Sequence, residues 1–200
     1  MFKKVFYLCI MLLGLMILRD FIMFNDSSPK LPPLSSPYLK WPLKKEKREE
    51  DINLGFGDDW IKSCGNYPKK HVGIDIKANP DDDVMAAKAG KVKLKFSIDG
   101  GADGYGIVIG HGKSPFEYTT VYMHVDPLVM EGQNVEKGQI IAKISRISSH
   151  HLHFGIRKSG YDIYSSRGAL PQKNTDDNKY CKGDPIFPGH FIDPFELKYD

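Results

Sequence analysis

Net charge is nearly absent from this chain: 28 Lys and Arg stand against 25 Asp and Glu, leaving +3 over 200 residues. A polyanion binder driven by bulk charge is thereby excluded, and no nucleic-acid partner is expected. Cysteine is scarce, with three in the chain and none in a C-x-x-C pair, which argues against a cysteine metal site. Downstream of residue 24 the long Ala, Leu and Glu stretches that build helices are missing, and no repeat of 20–50 residues is visible. What is present is globular in proportion. Hydrophobic residues make up 41% and charged residues 26%, so neither wholesale disorder nor a polytopic membrane protein fits. The length suits one domain with attachments, at roughly 100–200 residues per domain.

The one long apolar run lies at residues 5–18, behind Lys3 and Lys4 and ahead of Arg19 and Asp20. As a helix it would span ~21 Å, short of a ~30 Å hydrocarbon core unless residues 21–24 join it. It reads as a signal anchor or signal peptide over residues 1–24. The lack of an Ala-x-Ala-like cleavage site favours the anchor. The lysines then stay in the cytoplasm and the remainder faces outward, which predicts an exported cell-envelope protein held to, or released from, a membrane. Residues 25–51 hold five prolines followed by the mixed-charge stretch 44–51, a composition that reads as a linker. Two cysteines, Cys64 and Cys181, fall in the exported part, where an oxidising compartment would favour a disulfide between them.

From residue 52 to 200 the apolar segments are short, at 72–76, 92–96, 107–109, 119–123, 140–144 and 152–156, and several alternate with period two. Gly100-Gly101, Asp103-Gly104 and Lys137-Gly138 mark turns between them. The expectation is a mainly β domain, an antiparallel sheet or small β-barrel-like structure. Residues 159–190, rich in Gly, Pro, Asn and Asp, read as a long inserted loop.

Seven histidines supply the chemistry. His71-Val-Gly-Ile-Asp75 places nitrogen and oxygen donors four residues apart, ~13 Å on a straight strand. They can share an ion only if the backbone bends, and Gly73 lies between them. In His151-Leu-His153 the two imidazoles share one strand face while Leu152 turns to the core. Strict alternation in Tyr122-Met-His124 puts Tyr122 and His124 on one face and Met123 on the other. His, Asp and His suit Zn²⁺, which takes nitrogen and oxygen ligands at ~2.0–2.2 Å and in catalytic sites keeps a position open for water. His111 is expected to be structural, His150 a minor candidate on the opposite face, and His190 cannot be placed. Asp81, Asp82 and Asp83 read as a solvated turn.

The order of these motifs resembles the lysostaphin/LytM-type zinc metallopeptidases, which cut peptide bonds in bacterial peptidoglycan. The likeness runs through His71-Val-Gly-Ile-Asp75, residues 84–92, Gly104-Tyr-Gly-Ile-Val-Ile109, Thr120-Val-Tyr-Met-His124, residues 132–140, His151-Leu-His-Phe154 and Ile192-Asp-Pro194. It covers about residues 55–157 and the C-terminal tail, within a domain of residues 52–200. It implies that His71, Asp75 and His153 hold Zn²⁺ and that His124 and His151 flank the reacting water as catalytic groups. Tyr67 is a candidate oxyanion or substrate contact. Peptidoglycan peptides would be the partner, with the membrane engaged through the N-terminal segment. Two departures stand near the site: residues 145–150 are short where the family has a Gly/Thr/Ser-rich loop, and Gly155 follows His-Leu-His-Phe where the family usually has Glu. A non-catalytic module that activates cell-wall amidases is an alternative, distinguished by loss of ligands; all five expected polar residues are present here. A biotinyl/lipoyl-like adaptor is suggested by residues 132–142, yet it would leave the histidines without a role.

Overall fold

The computed structural model describes residues 39–64, 67–112, 117–147, 150–158 and 191–200, with backbone alone over 60–64 and 67–69. The chain divides into two units, Met1–Leu31 and Pro32–Asp200, and every described residue lies in the second. The expected signal or anchor at 1–24, the insertion 159–190 and Cys181 therefore lie outside the described residues, as do the side chains of Cys64 and Tyr67. Among the described residues no helix is long and apolar enough to cross a membrane.

Among the described residues twelve strands follow in chain order: β1 Ile52–Leu54, β2 Asp59–Cys64, β3 Tyr67–Lys70, β4 Ile74–Lys77, β5 Asp83–Met85, β6 Gly90–Ser97, β7 Tyr105–His111, β8 Tyr118–Pro127, β9 Asn134–Val135, β10 Ile140–Ile144, β11 His151–Arg157 and β12 Phe191–Ile192. Each of the six apolar segments picked out above contributes to one of them. Ten strands form one antiparallel sheet whose main path is β1-β4-β11-β8-β7-β6-β9; β10 joins β8 to β5, and β12 pairs with β11. The sheet is open, with edges at β1 and β9, while β2 and β3 form a separate hairpin.

Period-two alternation separates two apolar clusters on opposite faces. Leu152, Phe154 and Ile156 of β11 and Tyr118 and Tyr122 of β8 enter the main core, beside Ile74, Ile107, Ile109 and Ile144. The intervening Val121 and Met123 form a smaller cluster with Leu94 and Val108. Burying each large aliphatic side chain contributes about 1.5–3 kcal/mol. The candidate residues of β11, His151 and His153, necessarily stand on the face opposite Leu152 and Phe154.

The folded unit starts upstream of residue 52, so the expected linker 25–51 needs correction at its C-terminal end. Leu39, Trp41 and Leu43 are buried in the main core. Their backbone is tied down as well: Lys40 N–H donates to Ala87 O, Met85 N–H to Pro42 O, and Asp200 N–H to Leu39 O. Proline density hid a period-two apolar pattern, because proline constrains φ without preventing neighbouring side chains from entering a core.

Candidate metal centre

His71 lies in the bend between β3 and β4, and the turn ahead of β2 clamps it. His71 N–H donates to Asp58 O at 2.9 Å, its carbonyl accepts from Gly57 N–H at 2.8 Å, and its Nδ1 lies 3.0 Å from Gly55 O. A carbonyl only accepts, so Nδ1 carries the ring proton and Nε2 presents its lone pair inward. The bend in His71-Val-Gly-Ile-Asp75 is present. Its dependence on Gly73 differs from expectation, however, because Gly73 is not among the left-handed glycines. A Cβ at residue 73 would stand 2.6 Å from Phe154 O and 2.9 Å from the His153 ring. Gly73 thus lets β11 approach closely; its dihedral freedom is not what is used.

Asp75 on β4 and His153 on β11 are direct partners in the sheet register. Three donor atoms converge: His71 Nε2 lies 2.8 Å from His153 Nδ1 and 3.1 Å from Asp75 Oδ1, and His153 Nδ1 lies 3.0 Å from Asp75 Oδ1. All three residues are buried, with exposures of 2%, 7% and 6% for His71, Asp75 and His153. A buried carboxylate at such a point needs cationic or hydrogen-bonding partners. Burial pushes the Asp75 carboxyl up, but the hydrogen bond from His153 and the adjoining His71 imidazole hold it well below the usual carboxylate range. Burial pushes the His153 imidazole down, partly opposed by its bond to Asp75.

This donor set fits a zinc ion. A tetrahedral ion with bonds of ~2.0–2.1 Å separates its donors by about 3.3 Å, a few tenths more than here. With Nε2 of His71 and the carboxylate both acceptors, the only atom able to bridge them is a proton on His153 Nδ1, at the point a cation would fill. His153 Nε2 is buried with no hydrogen-bond partner among the described residues.

His151 and His124 stand beside this cluster. Their ring centroids are 4.3 Å apart, and His151 Nε2 lies 3.6 Å from Asp75 Oδ2. Here the structure corrects strict alternation. His124 has φ +64° and falls outside the register of β7, β10 and β11, at the point where β8 stops pairing with β11 and begins pairing with β10. This extra residue is a β-bulge, and it shifts the alternation by one. Val125 therefore joins Tyr122 in the main core, and His124 turns to the face of His151, opposite Tyr122. Tyr122 is fully buried and its hydroxyl accepts from Ala87 N–H at 2.8 Å.

The sequence marks Asp103 only as part of a turn, yet its Oδ2 lies 3.1 Å from His124 Nδ1. The Asp103-Gly104 pair signals a turn in sequence and carries no hint of which strand the turn will meet. His111 is structural: Nδ1 lies 2.9 Å from Ala89 O and Nε2 lies 2.8 Å from Thr120 Oγ1. His150 is exposed, just ahead of β11. His190, the side chain of Tyr67 and the Cys64–Cys181 pairing lie outside the described residues. Asp81 is exposed in a turn, as expected, and pairs with Arg146, whereas Asp83 opens β5, is half-buried and pairs with Lys44 and Lys143.

Residues 69–165 match the model of peptidase family M23. No curated protein matches the chain. Among solved structures, a zinc-containing peptidase from Vibrio cholerae is 28% identical, covering 61% of this chain and 37% of its own, with a TM-score of 0.49. The catalytic domain of the antimicrobial peptidase lysostaphin from Staphylococcus simulans is 25% identical over 56% of this chain and 82% of its own, TM-score 0.45. The SpoIIQ–SpoIIIAH pore-forming complex is matched at 26% identity over 63% of this chain and 87% of that one, TM-score 0.47. The chain thus spans about a third of the length of the Vibrio cholerae peptidase.

Proposed function

Residues 69–165 belong to peptidase family M23, and on that premise we propose that the protein is a zinc-dependent endopeptidase hydrolysing peptide bonds of bacterial peptidoglycan. The observation that carries this reading is the convergence of His71 Nε2, Asp75 Oδ1 and His153 Nδ1 within 2.8–3.1 Å, with two more imidazoles alongside. His71, Asp75 and His153 would hold the ion. Bound there, zinc would supply Lewis acidity toward a peptide carbonyl and a water. Gly55 O keeps His71 in the tautomer that directs Nε2 inward, the outer-shell support a ligating histidine needs. Asp75 remains ionised as a ligand. His151 and His124 are the groups able to take a proton from water and return it to a departing amine.

The non-catalytic alternative finds no favouring observation, since all five polar residues stand beside one another. Export through the N-terminal segment, as an anchor or as a cleaved signal, would bring the domain to the cell envelope, where its substrate lies. The test uses the full-length chain and purified peptidoglycan. His153→Ala is expected to lose both bound zinc and the release of soluble peptides. His151→Ala is expected to keep zinc and lose roughly 10²–10³-fold in turnover, the contribution of one group that transfers a proton or stabilises the oxyanion. Equal release by wild type and both variants would discard the proposal.

A further inference from the structure

The bulge that presents His124 is held from two sides. A non-glycine residue at φ +64° is strained by about 1 kcal/mol or more and persists where its surroundings enforce it. The His124 carbonyl accepts from Ser145 N–H at 3.0 Å. Its ring is met by Asp103, whose Oδ2 lies 3.1 Å and whose backbone oxygen lies 3.3 Å from Nδ1. The turn carrying Asp103 is shaped for that approach. Gly104 has φ +76°, and a Cβ there would stand 3.0 Å from Ser145 Cβ and 3.3 Å from the His124 carbonyl carbon. Ile98 N–H donates to Gly104 O at 3.0 Å and Gly104 N–H to Gly101 O at 3.2 Å, which fixes the turn against β6.

Carboxylate and carbonyl oxygens accept and do not donate, so the nitrogen facing them carries the proton. Neutral His124 then keeps its lone pair on Nε2. We infer that Asp103 is a positioning residue that holds His124 in the Nδ1–H tautomer and so makes Nε2 of His124 the atom that takes the proton of the attacking water. The inference rests on the hydrolytic reading above and assigns the roles within it. As the water oxygen bonds to the peptide carbon, its proton passes to His124 Nε2, and the ring charge is offset by the Asp103 carboxylate. The proton then passes to the amine nitrogen as the C–N bond breaks.

The experiment compares full-length wild type, Asp103→Ala and Asp103→Asn in detergent, each loaded with zinc. It reads zinc content, kcat and KM on a soluble muropeptide, and the His124 tautomer from long-range ¹H–¹⁵N correlation spectra. The expected result is unchanged zinc and KM in Asp103→Ala, with kcat lower by about 10–100-fold, less than the ~10²–10⁴ that loss of a complete general base costs. Its His124 should show a smaller Nδ1–H population, since only the backbone oxygen at 3.3 Å remains as acceptor. Asp103→Asn, whose amide oxygen still accepts, should regain that signature and part of kcat. Wild-type kcat in Asp103→Ala, or an Nε2–H tautomer in wild type, would overturn the assignment while leaving the peptidase reading intact. If wild type releases no peptide, the peptidase reading and the proton-transfer role fail together; the spectra then report the Asp103–His124 contact by itself.

Discussion

At residue scale, His111 and His153 are both buried imidazoles, yet burial acts on each to a different end. Both ring nitrogens of His111 are occupied by protein oxygens, and burial, opposed by the bond to Ala89 O, pushes its pKa down from 6.5 to about 4. His153 aims one nitrogen at Asp75 and has the other without a partner among the described residues. A lowered folded-state pKa means that the unfolded chain binds the proton more tightly. The stability associated with His111 is therefore complete above pH 6.5 and lost on acidification toward pH 4. A shift of that size corresponds to about 3 kcal/mol. Urea denaturation at pH 7 and pH 4.5 should show wild type losing more stability between the two than His111→Gln does; equal losses would remove His111 as the cause.

At the scale of elements, the site depends on two irregularities in otherwise regular strands. The bend at residues 71–73 brings His71 back over Asp75, and the bulge at His124 turns one side chain of β8 from the core face to the face of His151. Gly73 makes the first possible by leaving room for the Phe154 carbonyl and the His153 ring. Gly73→Ala must push β11 away from β4, at a cost of about 1–3 kcal/mol for overpacking. It should also weaken zinc binding roughly 10–100-fold, the range for disturbed ligand support. Zinc competition titration and urea denaturation read the two effects, and normal zinc affinity would show that β11 does not need this close approach. Only the first of these irregularities was legible in sequence. The bend is demanded by the ~13 Å a straight strand would impose on His71 and Asp75. A bulge with a histidine at positive φ leaves no mark in an alternating pattern, so Tyr122 and His124 were expected to share a face.

At the scale of the whole folded unit, the segment before β1 closes the main core together with the last residues of the chain. Trp41 meets Tyr199 edge to face at 5.0 Å between ring centroids. Lys47 lies 4.4 Å from the Phe195 ring centre and donates to Leu197 O at 3.0 Å. Leu39 bridges to Tyr199 and Leu43 to Val84. Trp41→Ala should therefore cost about 3–5 kcal/mol, as truncation of a buried aromatic does. Thermal or urea unfolding checks this, and a loss below 1 kcal/mol would mean that residues 39–43 lie on the core without supporting it. Composition pointed to a spacer here because prolines and charges dominate the window. The three apolar residues at alternate positions were the available signal, and what they would bury against lay more than 40 residues away.

Sequence by itself determined the class of structure and the inventory of chemistry: short alternating strands between glycine turns, histidines and an aspartate as nitrogen and oxygen donors, and His151 on the same strand face as His153; the choice of His71, Asp75 and His153 among them came from the family resemblance. Those properties follow from local rules, since strand period and side-chain chemistry need no knowledge of distant partners. Tertiary structure alone decided that Asp103 meets His124, that Gly55 O orients His71, that His124 leaves the core face, and that the folded unit reaches back to Leu39. Each of these rests on contact between residues far apart along the chain, across strands whose register no local pattern specifies.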